Sequence, residues 1–400
     1  MKNTVDVDVA IVGGGVAGLW LLNRLRQAGY SAILLESAAL GGGQTHKAQG
    51  IIHGGVKYAL QGAMTPAAEA IAGMPLLWQR CLEGLGDVDL SQVPVLSRHQ
   101  FLWTTGAFAS KFAGFFASLV LKGNVKLLDQ PAFPDIFQNP LFKGQVYSLD
   151  EIVIDVHALI RELVKPNQDA IFKVDSFESN QIQTDADGRI ISFELRSEPL
   201  PPLELKAQKY IFAAGDGNEF FLKTLRKYDV RMQRRPLHMV VAKHDFPHPV
   251  YAHCLGFGST PRVTITTHAA HDAKKIWYIG GHIAEEGVKR SSEEQIDATR
   301  KELQNLFPWL DFSTVQFSSF FVDRAEPLQV DGKRPDSCYF ENKQNSLIAW
   351  PTKLAFSPLL AQEIIQTLHQ ENIKPDQSHL RELRAWPIPA LAVPIWDQLL

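Results

Sequence analysis

The sequence predicts a mixed fold in which an α/β unit with a parallel sheet is interleaved with a mostly antiparallel β unit. Three observations support it. Residues 7–36 follow the order strand, glycine-rich turn, helix, strand. Residues 236–285 alternate apolar and polar side chains over several β-forming runs, and residues 345–369 return to a strand, a loop and a helix. A chain that begins and ends with α/β segments around a β-rich middle weaves two domains together.

The first α/β segment carries the most information. Val7–Val12 is rich in β-branched residues, as a buried parallel strand requires, and helical periodicity follows up to Gly29. Ala32–Leu35 is the second strand, and Glu36 closes it. The turn between the first strand and the helix contains the pattern G-x-G-x-x-G, formed by Gly13, Gly15 and Gly18.

Each glycine of this pattern has its own physical role. Gly13 permits a tight turn, Gly15 leaves room for a pyrophosphate, and Gly18 lets the helix pack closely on the strand. The helix N-terminus offers N–H groups to phosphate oxygens. Glu36 stands 18 residues after Gly18, where an acid accepts hydrogen bonds from an adenosine ribose. The complete set predicts a Rossmann-type dinucleotide site and disfavours the alternative, a turn that serves packing alone.

A second glycine-rich segment, GGQTHKAQGIIHGGVKY, spans residues 42–58. The fingerprint does not distinguish FAD from NAD, but a second segment so close to Glu36 indicates a cofactor that is contacted again beyond its pyrophosphate. His53 is the stronger of its two candidates for chemistry, although it could instead donate to a backbone carbonyl in a tight loop. His46 could equally be a turn residue that faces solvent.

Periodicity and capping residues predict the remaining elements. In the first half of the chain we expect helices over 64–85 and 101–123, and then a strand or turn followed by a helix from Asp155 over 147–164. Paired strands follow over 170–195, with a turn at Asp187-Gly188, and a strand and a helix over 209–225. Farther on we expect a helix over 291–306 capped by Ser291-Ser292, and a last helix with Pro358 in its first turn. The phenylalanine stripe of 101–123 favours packing on a sheet over membrane contact. The proline-rich end, AWPIPALAVPIWDQLL, cannot be one regular helix, and we expect it to pack on its own chain or on a partner subunit.

Composition excludes several classes of protein. The 400 residues carry a formal net charge of −3, which argues against nucleic acid as a partner. Three scattered cysteines favour neither a disulfide scaffold nor structural zinc. Asp6 and Asp8 do not suit a signal peptide, and no apolar run reaches roughly 18 residues. We therefore expect a cytoplasmic protein; peripheral membrane contact is less favoured.

Four segments, spread over most of the chain, are similar to segments of a known family: VGGGVAGLWLLNRLRQAGYSAILLE, GIIHGGVKYAL, LHMVV and PTKLAF. On these segments the sequence resembles the D-amino-acid-oxidase-type FAD oxidoreductases. Within that superfamily it is most similar to the FAD-dependent glycerol-3-phosphate dehydrogenase and 2-hydroxyacid dehydrogenase branch. The first segment is shared widely, and the second is the most specific.

The resemblance implies a discontinuous FAD-binding domain, over 1–85, 147–225 and 322–400, and a substrate domain over 86–146 and 226–321. It implies non-covalent FAD, although His46 or His53 could carry a covalent link. The implied cofactor contacts are Gly13, Gly15, Val16, Ala17, Gly18, Glu36, Thr45, His46, Gly54, Gly55, Val174, Ala214, Gly215, Lys353 and Leu354. The implied catalytic residues are His53, His238, Lys353 and Arg324, with Tyr58 on the substrate side and the N–H groups of Ser357, Leu359 and Leu360 near the flavin.

Two departures from the branch bear on the substrate. Glu326 stands where the glycerol-phosphate enzymes have an arginine, and Pro351 and Thr352 replace the glycines before the lysine. Because a phosphate binds best to bidentate guanidinium contacts, the loss of one argues against glycerol 3-phosphate. Arg324 and Arg334 remain as candidate anion anchors.

The expected activity is transfer of a hydride from a small hydroxy acid or polyol to flavin, with a histidine as base. Each residue also has a plainer interpretation: His238 as a core histidine, Lys353 as a surface lysine, and Arg324 as a partner of Asp323 or Glu326. Two other functions stay open, namely an amine oxidoreductase acting on glycine, sarcosine or a D-amino acid, and a flavin-binding protein without turnover. Oxygen, a quinone and another protein are all open as the electron acceptor, and so is the oligomeric state.

Overall fold

The computed structural model describes residues 3–55, 70–106, 125–256, 260–330, 332, 334–376 and 381–400. The strands are β1 (Asn3–Val12), β2 (Ala32–Glu36), β3 (Ile51–Ile52), β4 (Val95–Ser97), β5 (Gln100–Trp103), β6 (Val125–Leu127), β7 (Val146–Leu149), β8 (Ile152–Ile154), β9 (Ile171–Lys173), β10 (Ile182–Thr184), β11 (Ile190–Leu195), β12 (Leu203–Phe212), β13 (Met232–His244), β14 (Ala252–Cys254), β15 (Val263–Ala269), β16 (Lys275–Gly280), β17 (Gln316–Pro327), β18 (Tyr339–Lys343) and β19 (Ser346–Trp350). The helices are α1 (Val16–Gln27), α2 (Met74–Leu82), α3 (Val156–Val164), α4 (Asn218–Leu225), α5 (His282–Glu286), α6 (Ser292–Leu306), α7 (Ser357–Gln370) and α8 (Ile395–Leu399).

The first sheet has a parallel centre. Its parallel strands lie in the order β9, β2, β1, β12 and β19, and β10, β11 and β18 are antiparallel additions. The middle strand, β1, is buried on both faces: Val9 and Ile11 join a core with α1 and α7, whereas Ala10 and Val12 join a second core on the other side. Burial on both faces explains why the strand reads as a nearly continuous apolar run.

The second sheet is mostly antiparallel, as the sequence predicts. Its order is β17, β13, β16, β15, β14, β5, β7 and β6, and the one parallel pair among these strands is β14 with β5. One face packs on a core that includes Trp277 of β16, Leu303 of α6, and Phe307, which directly follows that helix. A small third sheet contains three short strands in the order β3, β8 and β4.

Most of the predicted elements are confirmed. Asp155 caps α3 by accepting from the N–H groups of His157 and Ala158, and β10 and β11 form the predicted hairpin around Gly188. Ser291 and Glu294 form a reciprocal capping box at the start of α6. These signals succeed because each one satisfies backbone groups locally, without help from the rest of the fold.

The predicted helix over 101–123 is wrong where it can be compared. Gln100–Trp103 is a strand, because β5 is hydrogen-bonded to β7 on one side and to β14 on the other. Residues 107–124 lie outside the described residues. The helix predicted over 64–85 is observed at Met74–Leu82, and its first six residues lie outside the described residues as well.

The domain boundaries stay a prediction. The strand order assigns the segment Val146–Leu149 to the second sheet, although most of it falls in a segment predicted for the FAD-binding domain. The whole of β17 also pairs with β13 in the second sheet, on both sides of the predicted boundary at residue 322.

The proline-rich end packs on its own chain, as predicted. Leu40 exchanges backbone hydrogen bonds with this segment: its N–H donates to the carbonyl of Ala390 at 2.8 Å, and its carbonyl accepts from Ala392 at 2.9 Å. Farther on, the ring of Trp396 stacks on His268 of the second sheet at 4.7 Å between centroids. The segment therefore connects the two large sheets. In the described part of the chain, none of the helices combines the length and the apolar character needed to cross a bilayer.

Burial of His268 makes the protein sensitive to acid. Burial lowers the pKa of this side chain to about 4, below the value of 6.5 in an unfolded chain. Between these values the unfolded chain binds a proton that the folded chain excludes. The free energy of unfolding is therefore fully retained above pH 6.5 and falls by up to about 3 kcal/mol as the pH drops towards 4.

We expect His268→Gln to reduce the slope of unfolding free energy against pH in urea titrations between pH 7 and 4. His369→Gln, which removes an exposed histidine of α7, is the control for loss of a histidine as such. Equal slopes in the wild type and His268→Gln would contradict the assignment.

Candidate cofactor and substrate site

A cavity of about 730 Å³ lies between the two large sheets. It is lined by residues at the carboxyl ends of β1, β2, β12 and β19 and by side chains of β13 and β17. Ligands of open α/β sheets bind beyond the carboxyl ends of the parallel strands, because there the loops and helix N-termini converge. The volume is within the range of roughly 300–1,000 Å³ that small-molecule sites occupy.

The glycine turn forms one wall of the cavity. Gly13 has φ of 117°, and a Cβ there would lie 2.5 Å from the Ala213 carbonyl oxygen. A Cβ on Gly18 would lie 2.0 Å from the Gly13 carbonyl oxygen, so neither position accommodates a side chain. A Cβ on Gly15 would meet only Thr45 Oγ1, at 3.2 Å, and would otherwise point into open space. Backbone is therefore exposed to the cavity where a pyrophosphate would bind.

Thr45 and Glu36 fix the two sides of this wall. The hydroxyl of Thr45 accepts from the N–H of Val16, at the start of α1, at 3.2 Å. The carboxylate of Glu36 accepts from the N–H of Gly14 and from that of Ala38, each at 2.7 Å. A carboxylate has about four acceptor positions, so Glu36 retains the capacity to accept from a ribose hydroxyl.

The loop after Glu36 is attached to the second sheet. Gln49 donates from Nε2 to the carbonyls of Thr264 (3.2 Å) and Tyr278 (2.8 Å). The hydroxyl of Tyr278 in turn donates to the carbonyl of Lys47 at 2.6 Å. Both Lys47 and Gln49 line the cavity. These bonds hold the loop against the second sheet.

The structure brings together many of the predicted site residues. Those that line the cavity are Gly13, Gly15, Val16, Ala17, Glu36, Thr45, Ala214, Gly215, Arg324, Lys353 and Leu354. Those that lie outside the lining are Gly18, His46, His53, Gly54, Gly55, Val174 and His238. Tyr58 lies outside the described residues.

His46 and Val174 contact their own surroundings instead of the cavity. Nδ1 of His46 lies 3.1 Å from the Gly41 carbonyl oxygen, and burial lowers the pKa of the ring. The side chain of Val174 is buried, and its N–H donates to the carbonyl of Glu36 at 3.0 Å. The three residues that follow Val174 line the cavity in its place.

His238 is a core residue with both ring nitrogens engaged. Nδ1 lies 2.9 Å from the Gly287 carbonyl oxygen, Nε2 lies 2.9 Å from Ser319 Oγ, and the ring stacks on Phe321 at 4.0 Å. Successive side chains of a strand point to opposite faces, so Leu237 and Met239 line the cavity while His238 points away from it. This geometry matches the plainer interpretation that the sequence left open.

His53 lies beside two residues that the sequence did not single out. Its Nδ1 is 3.0 Å from Glu151 Oε2, and the N–H of Gly54 donates to Glu151 Oε1 at 2.8 Å. The ring of His253 stacks on that of His53, with centroids 5.9 Å apart and planes inclined by 23°. Glu151 and His253 are almost completely buried, whereas 15% of the His53 side chain is exposed.

A cationic group occupies the β17 side of the cavity. Nε of Arg324 donates to the carbonyl of Arg235 at 2.9 Å, which fixes the guanidinium plane. Burial, together with the nearby Arg235 and Arg334, lowers the pKa of Arg324 to about 10. Because the guanidinium lies near two other cations, an anion in the cavity would stabilise its charged form.

Glu326 is neutralised away from the cavity. Its side chain is buried, and it forms an ion pair with Arg235 and accepts from Gln233 Nε2 at 3.3 Å. Arg235 and Gln233 both lie on β13, next to the strand that carries Glu326. The acid that replaces the arginine of the related branch is therefore paired with a cation of its own, and Arg324 remains the cation at the cavity.

Lys353 is a further cation of the lining, beside Lys47 and Arg324. Its ammonium lies 4.8 Å from the centroid of the Phe356 ring, within the range of a cation–π contact. The preceding residue, Thr352, has φ of 58°, a left-handed conformation that a β-branched residue rarely adopts. Its hydroxyl donates to the carbonyl of Ser337 at 2.8 Å, which helps to hold the loop in this conformation. The backbone shape is thus of the kind that glycine favours, although glycine is absent.

Several lining residues were missed by the sequence analysis. They include Gln44, Gln49, Phe177, Leu237, Met239 and Trp350. The strand alternation around His238 could have identified Leu237 and Met239 as its opposite face. The convergence of Glu151 and His253 on His53 has no signal in the sequence, because the three residues come from separate elements.

Comparisons with known proteins agree with this geometry. The chain matches the profile of the FAD dependent oxidoreductase family over residues 8–340. It is 43% identical over 398 residues to the probable FAD-dependent oxidoreductase PA4991 of Pseudomonas aeruginosa, with 99% of each chain covered. The crystal structure of PA4991 has a TM-score of 0.84 with this structure, at 39% identity, and the alignment covers 100% of this chain and 99% of that one.

Two more distant structures share the fold. L-α-glycerophosphate oxidase from Mycoplasma pneumoniae, solved with FAD bound, has a TM-score of 0.62 at 17% identity and covers 91% of this chain and 95% of its own. Glycine oxidase from Geobacillus kaustophilus has a TM-score of 0.63 at 14% identity and covers 98% of this chain and 100% of its own. The profile match and the 43% identical relative show that the chain belongs to the FAD dependent oxidoreductase family, with FAD as its cofactor.

Proposed function

We propose that this FAD-dependent oxidoreductase oxidises a small anionic hydroxy acid or polyol-type substrate. The observation that carries the proposal is Arg324, a partly buried cation in the cavity wall that lies near two other arginines, Arg235 and Arg334. The hydrogen bond from Nε to the Arg235 carbonyl orients the guanidinium. A guanidinium held in one plane binds a carboxylate with two parallel hydrogen bonds.

The other groups of the cavity suit such a substrate. Lys353 adds a further positive charge among the lining residues, and Leu237 and Met239 supply an apolar surface for the carbon skeleton. Bound FAD supplies the acceptor for the electron pair of a C–H bond next to O–H or N–H. The remaining task of the protein is to remove a proton. We assign it to His53, which lies outside the lining described above, because imidazole titrates near neutral pH and this ring is held by the carboxylate of Glu151.

One observation favours the amine alternative. Glu285 is near enough to Arg324 to favour its charged form. Glu285 is exposed and lies outside the cavity lining, so it would act on the ammonium group of a bound amino acid through its charge and not through a contact. An amino acid is therefore the second candidate.

Anaerobic reduction of the flavin by a substrate panel tests the proposal. The panel contains 2-hydroxy acids, glycerol 3-phosphate, glycine, sarcosine and D-amino acids, and the measurement is bleaching of the flavin absorbance. We expect hydroxy acids to reduce the flavin fastest. Reduction by amino acids alone would establish the amine alternative, and a flavin that no member reduces would favour a binding protein without turnover.

We expect Arg324→Ala to weaken binding of the anionic substrate by about 10- to 100-fold, the value of a charge-assisted hydrogen bond. The measurement is the substrate dependence of flavin reduction. FAD content should stay at one per chain, and added guanidinium should restore part of the affinity. Arg80→Ala, which removes an exposed arginine of α2, is the control. An unchanged substrate affinity would remove Arg324 from the site.

We expect His53→Ala to lower the maximal rate of flavin reduction on the order of 100-fold or more, because a general base is lost. The substitution also leaves the buried carboxylate of Glu151 without its ring partner, so the free energy of unfolding should fall by about 1–3 kcal/mol. His99→Ala, at an exposed histidine, is the matched control. Normal reduction by His53→Ala would show that another group accepts the proton.

A further inference from the structure

We propose that Glu151 is a positioning residue, which holds the imidazole of His53 with a proton on Nδ1 and leaves Nε2 as the proton acceptor. The inference rests on the proposed role of His53 as base and adds the residue that orients it. Glu151 lies 98 positions from His53 in the sequence, and its side chain is 1% exposed.

The hydrogen bonds around Glu151 decide the tautomer. An ionised carboxylate only accepts hydrogen bonds, and Glu151 faces two nitrogen atoms, the Gly54 N–H at 2.8 Å and His53 Nδ1 at 3.0 Å. The Gly54 group is always a donor and occupies Oε1. The bond at Oε2 then requires a proton on Nδ1 of His53. A neutral imidazole has one N–H, so the lone pair lies on Nε2.

The carboxylate beside His53 lies in a buried environment. The Nδ1 edge of the ring faces Glu151, whose side chain is 1% exposed. A buried carboxylate next to Nδ1 also stabilises the imidazolium that forms when Nε2 takes a proton, because the new charge lies beside an opposite one in a poorly screened environment. Histidines that act as bases on other proteins are oriented by a carboxylate in the same way.

His253 supports the ring of His53 by stacking on its face. Its ring is fully buried and stacks on that of His53, and its Nδ1 lies 2.7 Å from Thr264 Oγ1. The carbonyl of Thr264 accepts from Gln49, a residue of the cavity lining. Ile52, next to His53, packs in the same core as Ala355 and Phe356, which follow the cavity residue Leu354. The base and its supports are thus anchored to the cavity wall on two sides.

The same three side chains could be considered as metal ligands. One ligand atom from each of His53, Glu151 and His253 lies within 4.8 Å of the others. The one separation that defines a bond in this group, 3.0 Å between His53 Nδ1 and Glu151 Oε2, is an ordinary hydrogen-bond distance. A metal at that point would replace the hydrogen bond between His53 and Glu151. The observed geometry favours a shared proton.

In the proposed step, Nε2 of His53 takes the proton of the substrate hydroxyl or amine. FAD, when bound, would supply the acceptor for the hydride of the adjacent C–H bond. The Nδ1 proton stays with His53, hydrogen-bonded to Glu151. The proton on Nε2 is later released to solvent. Glu151 itself neither gains nor loses a proton.

The test is Glu151→Gln. The amide oxygen must still accept from Gly54, so the amide NH₂ faces His53 Nδ1 and donates to it. The imidazole is then forced into the other tautomer, with Nε2 protonated. We expect the maximal rate of flavin reduction, with the fastest substrate of the panel, to fall on the order of 100-fold. Substrate affinity, FAD content and melting temperature should stay near wild-type values.

Two companion variants separate orientation from structural support. Glu151→Asp keeps the carboxylate and should recover part of the lost rate, whereas Asp150→Asn, at the exposed neighbouring acid, should leave the rate unchanged. If His53→Ala is impaired but Glu151→Gln reduces normally, the inference fails while the proposed function stands. If His53→Ala reduces normally, the assigned base itself is wrong.

The tautomer can be measured without turnover. In ¹⁵N-labelled protein, with the His53 signals assigned by their loss in His53→Ala, we expect a protonated Nδ1 and an unprotonated, pyridine-type Nε2. Glu151→Gln should reverse this pattern. The same tautomer in both proteins, or stoichiometric zinc whose removal by a chelator abolishes the reduction, would overturn the proposal.

Discussion

The architecture depends on the close approach of two strand ends, Gly13 after β1 and Ala213 after β12. The N–H of Ala213 donates to the carbonyl of Val12 at 2.8 Å, and the N–H of Gly13 donates to that of Leu35 at 2.9 Å. Three parallel strands therefore end at the same level. A side chain on Gly13 would collide with the Ala213 carbonyl, so glycine is a condition of this alignment. The glycine turn, the acid at the end of β2 and the loop after β12 all reach the cavity because these strands end together.

The second sheet adds charge to a site that the first sheet shapes. Buried charges are costly unless they are paired, and Glu326 is paired with Arg235 on the neighbouring strand. Arg324 is partly buried and lies near two other cations, Arg235 and Arg334, and these effects together lower its pKa. The departure from the glycerol-phosphate branch thus changes the local pairing of charges and keeps a cation at the cavity. A site of this kind suits a small anion, which fits the proposed substrate class.

Hydrogen bonds hold the loop after Glu36 against the second sheet. Gln49 and Tyr278 join the loop to two strands of the second sheet, and the last residues of the chain pack on the same region through Trp396. Because this loop and the second sheet are joined directly by hydrogen bonds, a displacement of one would move the other. The His53 segment continues from this loop, so the orientation of the proposed base depends on the same contacts.

The sequence by itself determined the local elements: the strand, turn, helix and acid of the fingerprint, the caps at Asp155 and Ser291, and the mostly antiparallel middle. Each of these depends on periodicity or on backbone groups within a few residues, so each can be read without the rest of the chain. Only the tertiary structure decided that Gln100–Trp103 is a strand, because its partners are β7 and β14. It also decided that His238 faces the core and that Glu151 meets His53. Strand register and the packing of distant segments set these positions, and neither is encoded in a local pattern.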